Sequence, residues 1–246
     1  MRTSRRSSSV SLVLKVELHT HTSDDPIDRI PYSTYDLIDR AAALGYDALA
    51  VTLHDRQLDL NPFAHYAADR RLVLIPGIER TIEGRHVLLL NFSPATESVR
   101  SFADLARLKQ EERGGLVVAP HPFFLWPHSL LWRLTPNAGL FDAVEYNAMY
   151  TRSLNFNTAA VRWAARHGRP MVGNGDVHRL TQLGSTYSLV EAERTPASIC
   201  RAIAGGRVRV ETSPVTWRTA IHVMASLLAT PGRSGSHSPE PALTGR

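Results

Sequence analysis

The stretch Val16-Glu17-Leu18-His19-Thr20-His21-Thr22 decides how this chain is read. It closes an apolar run over residues 12–18 that reads as a buried first strand. Side chains two apart on a strand point the same way, so His19 and His21 would present two imidazoles side by side. A strand offers two nitrogen ligands to one metal ion in this way. A bare His-x-His also occurs in ordinary half-exposed strands, so its meaning depends on where further candidate ligands fall.

Outward from that strand, the chain alternates. Further strands are expected at 48–53, 72–76, 85–91, 116–119, 143–146, 171–174 and 208–211. A helix opens at Ser33 or Thr34 and closes at Gly45, and a short one follows Asn61-Pro62. Others run from Ser101 to Glu112, from Asn157 to His167 and from Thr195-Pro196 to Gly205-Gly206, with a last candidate over 216–229. About seven strand–helix repeats argue for parallel strands covered by helices, in a closed or nearly closed α/β barrel.

With 246 residues and 43% apolar content, the chain can fill one sizeable core. Its single cysteine, Cys200, excludes an intramolecular disulfide framework and suits a reducing compartment, with the cytoplasm as the expected location. No run approaches the ~18 apolar residues of a membrane span, and no membrane partner is expected. The formal charge of +5 is partly local. Residues 1–10 carry Arg2, Arg5 and Arg6 and read as a disordered basic arm, residues 11–230 as the barrel, and residues 231–246 as a disordered Ser/Pro/Gly-rich tail.

The polar residues coincide in position. His19, His21, His54, Glu79, His121, Asp176 and His178 each lie at or just past the C-terminal end of an expected strand, where barrel enzymes gather their functional groups. Buried polar groups need partners, so several convergent imidazoles and carboxylates are hard to explain as packing. Imidazoles with a few carboxylates and no thiol suit Zn²⁺, Mn²⁺ or Fe²⁺, and the ligands outnumber what one tetrahedral ion would use.

The motifs Glu17–Thr22, Thr52-Leu53-His54-Asp55, Pro76-Gly77-Ile78-Glu79, Ala119-Pro120-His121-Pro122 and Gly175-Asp176-Val177-His178 occur in an order that resembles the polymerase and histidinol phosphatase (PHP) family. The resemblance spans residues 12–212 and implies a distorted (β/α)7 TIM-like barrel that hydrolyses phosphoesters at a centre of two or three divalent metals. It implies that His19, His21, Glu79 and Asp176 hold a first metal. His54, His178 and an acidic loop residue would hold a second, and Glu79 would bridge to a third completed by His121 and His86. Asp24, which follows Ser23 as in the family's Ser-Asp, is the expected loop ligand, with Asp25 as its rival. Leu53 departs from the family, many members of which carry Asp before the motif histidine.

A metal-activated water would then be the nucleophile, the ions neutralising charge on the phosphoryl oxygens. His54 and His178 are the candidates to protonate the leaving oxygen, and Arg56 and Arg179 could meet the substrate phosphate. Glu145 either orients a ligand histidine or faces outward. Trp126, His128 and Trp132 lie in a long loop that either lids the pocket or packs on the barrel. A small phosphorylated or nucleotide substrate is preferred to nucleic acid, since no aromatic–basic stacking array is evident. The alternatives are a nuclease or proofreading module and a catalytically inactive metal-binding barrel. Amidohydrolysis usually wants a lysine at a strand end, and the only lysines are Lys15 and Lys109.

Overall fold

The computed structural model describes residues 12–229; the expected basic arm and tail lie outside the described residues. Nine strands form one sheet: β1 (Leu12–Glu17), β2 (Ala48–Val51), β3 (Val73–Ile82), β4 (Arg85–Leu90), β5 (Leu116–Ala119), β6 (Ala143–Asn147), β7 (Met171–Asn174), β8 (Thr186–Ala192) and β9 (Val208–Thr212). Their order is β7-β6-β5-β4-β3-β2-β1-β8-β9. Among the described residues six α-helices accompany them: α1 (Thr34–Ala43), α2 (Ala64–Asp69), α3 (Phe102–Glu111), α4 (Asn157–Arg166), α5 (Pro196–Ala204) and α6 (Trp217–Ala229). Ser33 is the cap of α1, its hydroxyl accepting from Asp36 N while the Asp36 carboxylate accepts from Ser33 N.

The sheet closes on itself at one end. Beyond β1 and β7, His21 N donates to Val177 O and Val177 N to His19 O, both at 3.1 Å, so strands one to seven form a barrel at its mouth. At the base β8 runs antiparallel to β1 instead, pairing Leu12–Val16 with Ser188–Ala192. Ser188 Oγ stitches it to β7, donating to Gly173 O (3.1 Å) and accepting from Gly173 N (2.9 Å). The two strands come so close that a Cβ on Gly173 would lie 2.6 Å from Tyr187 O.

Two features depart from the expected parallel barrel. β4 runs antiparallel to both neighbours, because only Glu83 and Gly84 separate it from β3. Both adopt positive φ, 47° and 76°, as a tight hairpin turn requires, and two residues leave no room for a crossover helix. The strand β8 was not expected. Its inward positions include Thr186 and Ser188, so hydroxyls replace the apolar alternation that marks a half-buried strand.

Strand alternation divides the core. Ala48 and Ala50 face the interior with Leu14, Val16, Ile75, Leu88 and Val118, while Leu49 and Val51 pack outward with Leu37 and Ile38 of α1. Helix α5 adds Ile199 and Ile203 to the interior cluster at the base, leaving the opposite end to polar side chains. No helix among the described residues is long and apolar enough to cross a membrane.

Candidate metal centre

The β1 ladder breaks just before the histidines. Glu17 is fully buried, and its carboxylate accepts from Leu18 N and His19 N (both 3.1 Å) and from Gly175 N (3.0 Å). Leu14, Val16 and Leu18 face the barrel interior, so strict alternation would turn His19 and His21 away from it. The interruption at Glu17 resets the face. Beyond it both imidazoles enter the mouth, with ring centroids 5.4 Å apart. Burial raises the Glu17 pKa to about 8.

Glu79, on β3, is the hub. Its Oε2 lies 3.2 Å from His19 Nε2, 3.4 Å from His21 Nε2 and 3.1 Å from His54 Nε2. Its Oε1 lies 2.9 Å from His86 Nδ1 and 3.1 Å from His121 Nε2. Five imidazoles from four parts of the barrel thus surround one carboxylate. His86 reaches the group from the start of its strand because β4 runs downward from the mouth. Asp176 joins from the far side, its Oδ1 3.4 Å from His19 Nε2 and from His178 Nδ1 and 3.6 Å from His21 Nε2. His121 and Asp176 carry left-handed backbone, with φ of 29° and 48°. Such strain persists only where surrounding structure enforces it.

The outward-facing nitrogens are held as firmly. Glu145 is buried and accepts from His19 Nδ1 at 2.9 Å, and Asn147 Nδ2 donates to its other oxygen at 2.6 Å. Asp25 Oδ2 lies between two rings, 2.9 Å from His21 Nδ1 and 3.0 Å from His54 Nδ1, and accepts from His54 N. Asp24 turns the other way: its Oδ2 accepts from Thr34 Oγ1 (2.9 Å) and Thr22 Oγ1 (3.3 Å), and it does not reach the imidazoles. Asp28, which sequence reading passed over, places Oδ2 3.0 Å from His178 Nε2. No motif marked Asp28; only its place in the acidic loop after His21 could have drawn notice.

Electrostatics follow from this packing. Burial opposes ionisation of Glu79 and Asp176, yet the surrounding imidazoles outweigh it and hold both well below the usual carboxylate range. Burial likewise opposes a low pKa at Asp25, and the hydrogen bonds from His21 and His54 overcome it. Burial disfavours charge on His19 and His21 too, but the carboxylates facing them raise both well above the ordinary value. Burial and the neighbouring His21 oppose charge on His54 as well, but Glu79 and Asp25 raise it to about 9.

This donor set suits cations. His19 Nε2 and His21 Nε2 are buried and make no hydrogen bond, which is unusual for ring nitrogens unless a cation takes their lone pairs. Ligand atoms lie within 4.8 Å of one another in four groups: His19–His21–Glu79, His19–His121–Asp176, His21–His54–His178 and His54–Glu79–His86. A cavity of about 310 Å³ opens over them, walled by Asp28, Trp126, Met149, Arg179 and Gln182 as well as by the cluster. Arg56 is exposed and stands outside this wall. Trp126 belongs to the cavity, whereas Trp132 is 65% exposed, with the guanidinium groups of Arg85 and Arg133 near its ring. His128 stacks on His86 at 4.6 Å. Leu53 is buried in the core under α1.

Comparison with known proteins agrees with this architecture. Residues 155–208 match the model of a family described as PHP-associated. A two-domain protein from Bacteroides vulgatus, described as containing a predicted PHP-like metal-dependent phosphoesterase, superposes with a TM-score of 0.65 at 18% identity, over 89% of this chain and 71% of that one. PsfC from Pseudomonas syringae gives 0.61 at 18% identity over 88% and 97% of the two chains. A lesion-specific endonuclease from Pyrococcus furiosus gives 0.55 at 17% identity over 87% and 66%. No curated protein sequence matches the chain. The family resemblance read from the five motifs therefore holds: this chain carries a PHP-associated segment on the fold of PHP-like proteins.

Proposed function

We propose that the protein hydrolyses phosphoesters of small molecules or nucleotides with the help of two or three divalent metal ions. The observation that carries this reading is the convergence of five imidazoles on the two oxygens of Glu79. A carboxylate so placed could serve two ions at once, and enzymes that displace at phosphorus are among those that use paired ions. His19, His21, Glu79 and Asp176 would hold the first ion. His54 and His178 would hold the second, with Asp28 rather than Asp24 as the acidic partner, since only Asp28 of the two touches a ligand histidine. His86 and His121 complete the third position with Glu79.

When bound, such ions supply a nucleophilic water at neutral pH and neutralise the phosphoryl charge. The chain does the rest. Glu145 and Asp25 fix the tautomers of His19, His21 and His54 so that each presents Nε2 to the centre. Arg179, on the cavity wall, binds a phosphate oxygen. As ligands of the second ion, His54 and His178 would have no free proton to give from the coordinating nitrogen, their other nitrogens being held by Asp25 and by Asp176 O, so the leaving oxygen would take its proton from water. Zinc, manganese or iron fits the donors.

A screen of phosphomonoesters, nucleotides and short oligonucleotides with Mn²⁺ tests the reading. Turnover is expected on small phosphoesters, with His19→Ala/His21→Ala reducing both turnover and bound metal to background. Full activity in that variant would refute the assignment, and turnover confined to oligonucleotides would move the substrate class to nucleic acid.

A further inference from the structure

A second cleft, of about 450 Å³, adjoins the metal-site cavity and shares two walls with it, Trp126 and Met149. Its other walls include Phe124, Leu154, Phe156 and, from α6, Trp217 and Ile221. Aromatic rings lead into it from the ligand cluster: His121 to Trp126 at 5.2 Å, Trp126 to Phe124 at 5.2 Å, Phe124 to Phe156 at 5.4 Å. The chain leading into α6 is tied across the cleft by Val215 N donating to Tyr150 O (2.9 Å), and Trp217 Nε1 donates to Ser153 Oγ (3.1 Å).

The side-chain hydroxyls of the lining are already engaged. Tyr150 Oη pairs with Thr212 Oγ1 at 2.9 Å, and Thr151 Oγ1 accepts from Leu154 N at 3.1 Å. The cleft therefore offers few groups to read the edge of a base or the hydroxyls of a sugar. It offers hydrocarbon surface, with Leu154, Trp217 and Ile221 left 45%, 52% and 63% exposed. Concave apolar walls of this size, continuous with a polar cavity, suit a bipartite small molecule.

We propose that this cleft holds the hydrocarbon part of the substrate, which is the phosphoester of an alcohol bearing an aryl or alkyl group. Its phosphoryl group sits in the adjoining cavity, and Trp126 and Met149 line the passage between the two. The inference rests on the phosphoesterase reading for the phosphoryl half only; the cleft's preference for hydrocarbon stands on its own walls.

The test pairs kinetics with binding. Phenyl and 2-naphthyl phosphate have chemically similar leaving groups, so the ratio of their kcat/KM reads the cleft. The metal-loaded protein should favour the naphthyl ester by on the order of 10-fold. Leu154→Ser and Ile221→Ser, at exposed positions that fold tolerates, should each shrink that ratio. In parallel, 2-naphthylmethylphosphonate and methylphosphonate, which cannot be hydrolysed, are titrated against tryptophan fluorescence. The naphthyl compound should bind more tightly, and both variants should weaken it. If neither ester is hydrolysed but this binding pattern holds, the cleft assignment stands and the phosphoesterase reading falls. If both esters are hydrolysed alike and the two phosphonates bind alike, the cleft assignment is overturned and the phosphoesterase reading survives. A naphthyl preference unchanged in both variants also overturns it.

Discussion

Glu145 Oε2 lies 2.9 Å from His19 Nδ1, and both side chains are fully buried. The carboxylate fixes which nitrogen of His19 carries the proton and turns Nε2 toward Glu79. Glu145→Gln keeps the shape and removes the charge. Metal affinity, measured by competition with a chromophoric chelator, should fall by about 10–100-fold. Unchanged affinity would mean that Glu145 serves packing alone.

The acidic loop gives a prediction that separates neighbours. Asp25 touches His21 and His54, whereas Asp24 serves Thr22 and Thr34. Asp25→Asn should therefore lower metal occupancy by roughly 10-fold or more. Asp24→Asn should leave occupancy alone and cost about 1 kcal/mol of stability. Metal analysis and thermal melts on the two variants decide the matter. The reverse ranking would restore Asp24 as the loop ligand.

The strands, helices and motif positions were largely legible because apolar runs and capping residues mark them strongly. The positions of β1, β2, β5, β6 and β7 all follow from short buried runs, and Ser33 caps α1 as its sequence suggests. Three things were not legible, each for a physical reason. The inward positions of β8 carry hydroxyls, which mask its period. The Glu83-Gly84 turn that reverses β4 is a weak signal without knowing that β3 continues past Pro76. The parity change at Glu17 depends on a buried carboxylate capping two successive amides, and periodicity carries no trace of it.

At the base, one hydroxyl links β7 to β8. Ser188 Oγ satisfies both Gly173 N and Gly173 O, which lie in the buried seam between β7 and β8. Ser188→Ala strands that amide, so unfolding in urea should show a loss of about 1–3 kcal/mol. A neutral substitution would show that the seam is held by packing.

The metal-free protein should lose stability as pH rises from about 6.5 to 8. Unfolded, Glu17 gives up its proton near 4.5 and His54 near 6.5; folded, they keep them to about 8 and about 9. The folded state thus binds more protons across this window, and stability falls with increasing pH. Glu79, Asp176 and Asp25 are ionised in both states there and add no slope. Metal binding displaces imidazole protons, so affinity should rise over the same window. Thermal melts of chelator-treated protein check the sign, and a melting temperature that climbs from pH 6.5 to 8 would contradict it.

The most direct test of the central claim is the metal content of protein purified without chelator, measured by elemental analysis. Imidazoles gathered on Glu79, with His19 Nε2 and His21 Nε2 lacking hydrogen bonds, suit cations. About two equivalents or more of zinc, manganese or iron per chain are expected, a ligand set of this size exceeding what one tetrahedral ion uses. Well under about one equivalent, persisting after incubation with these metals, would contradict it.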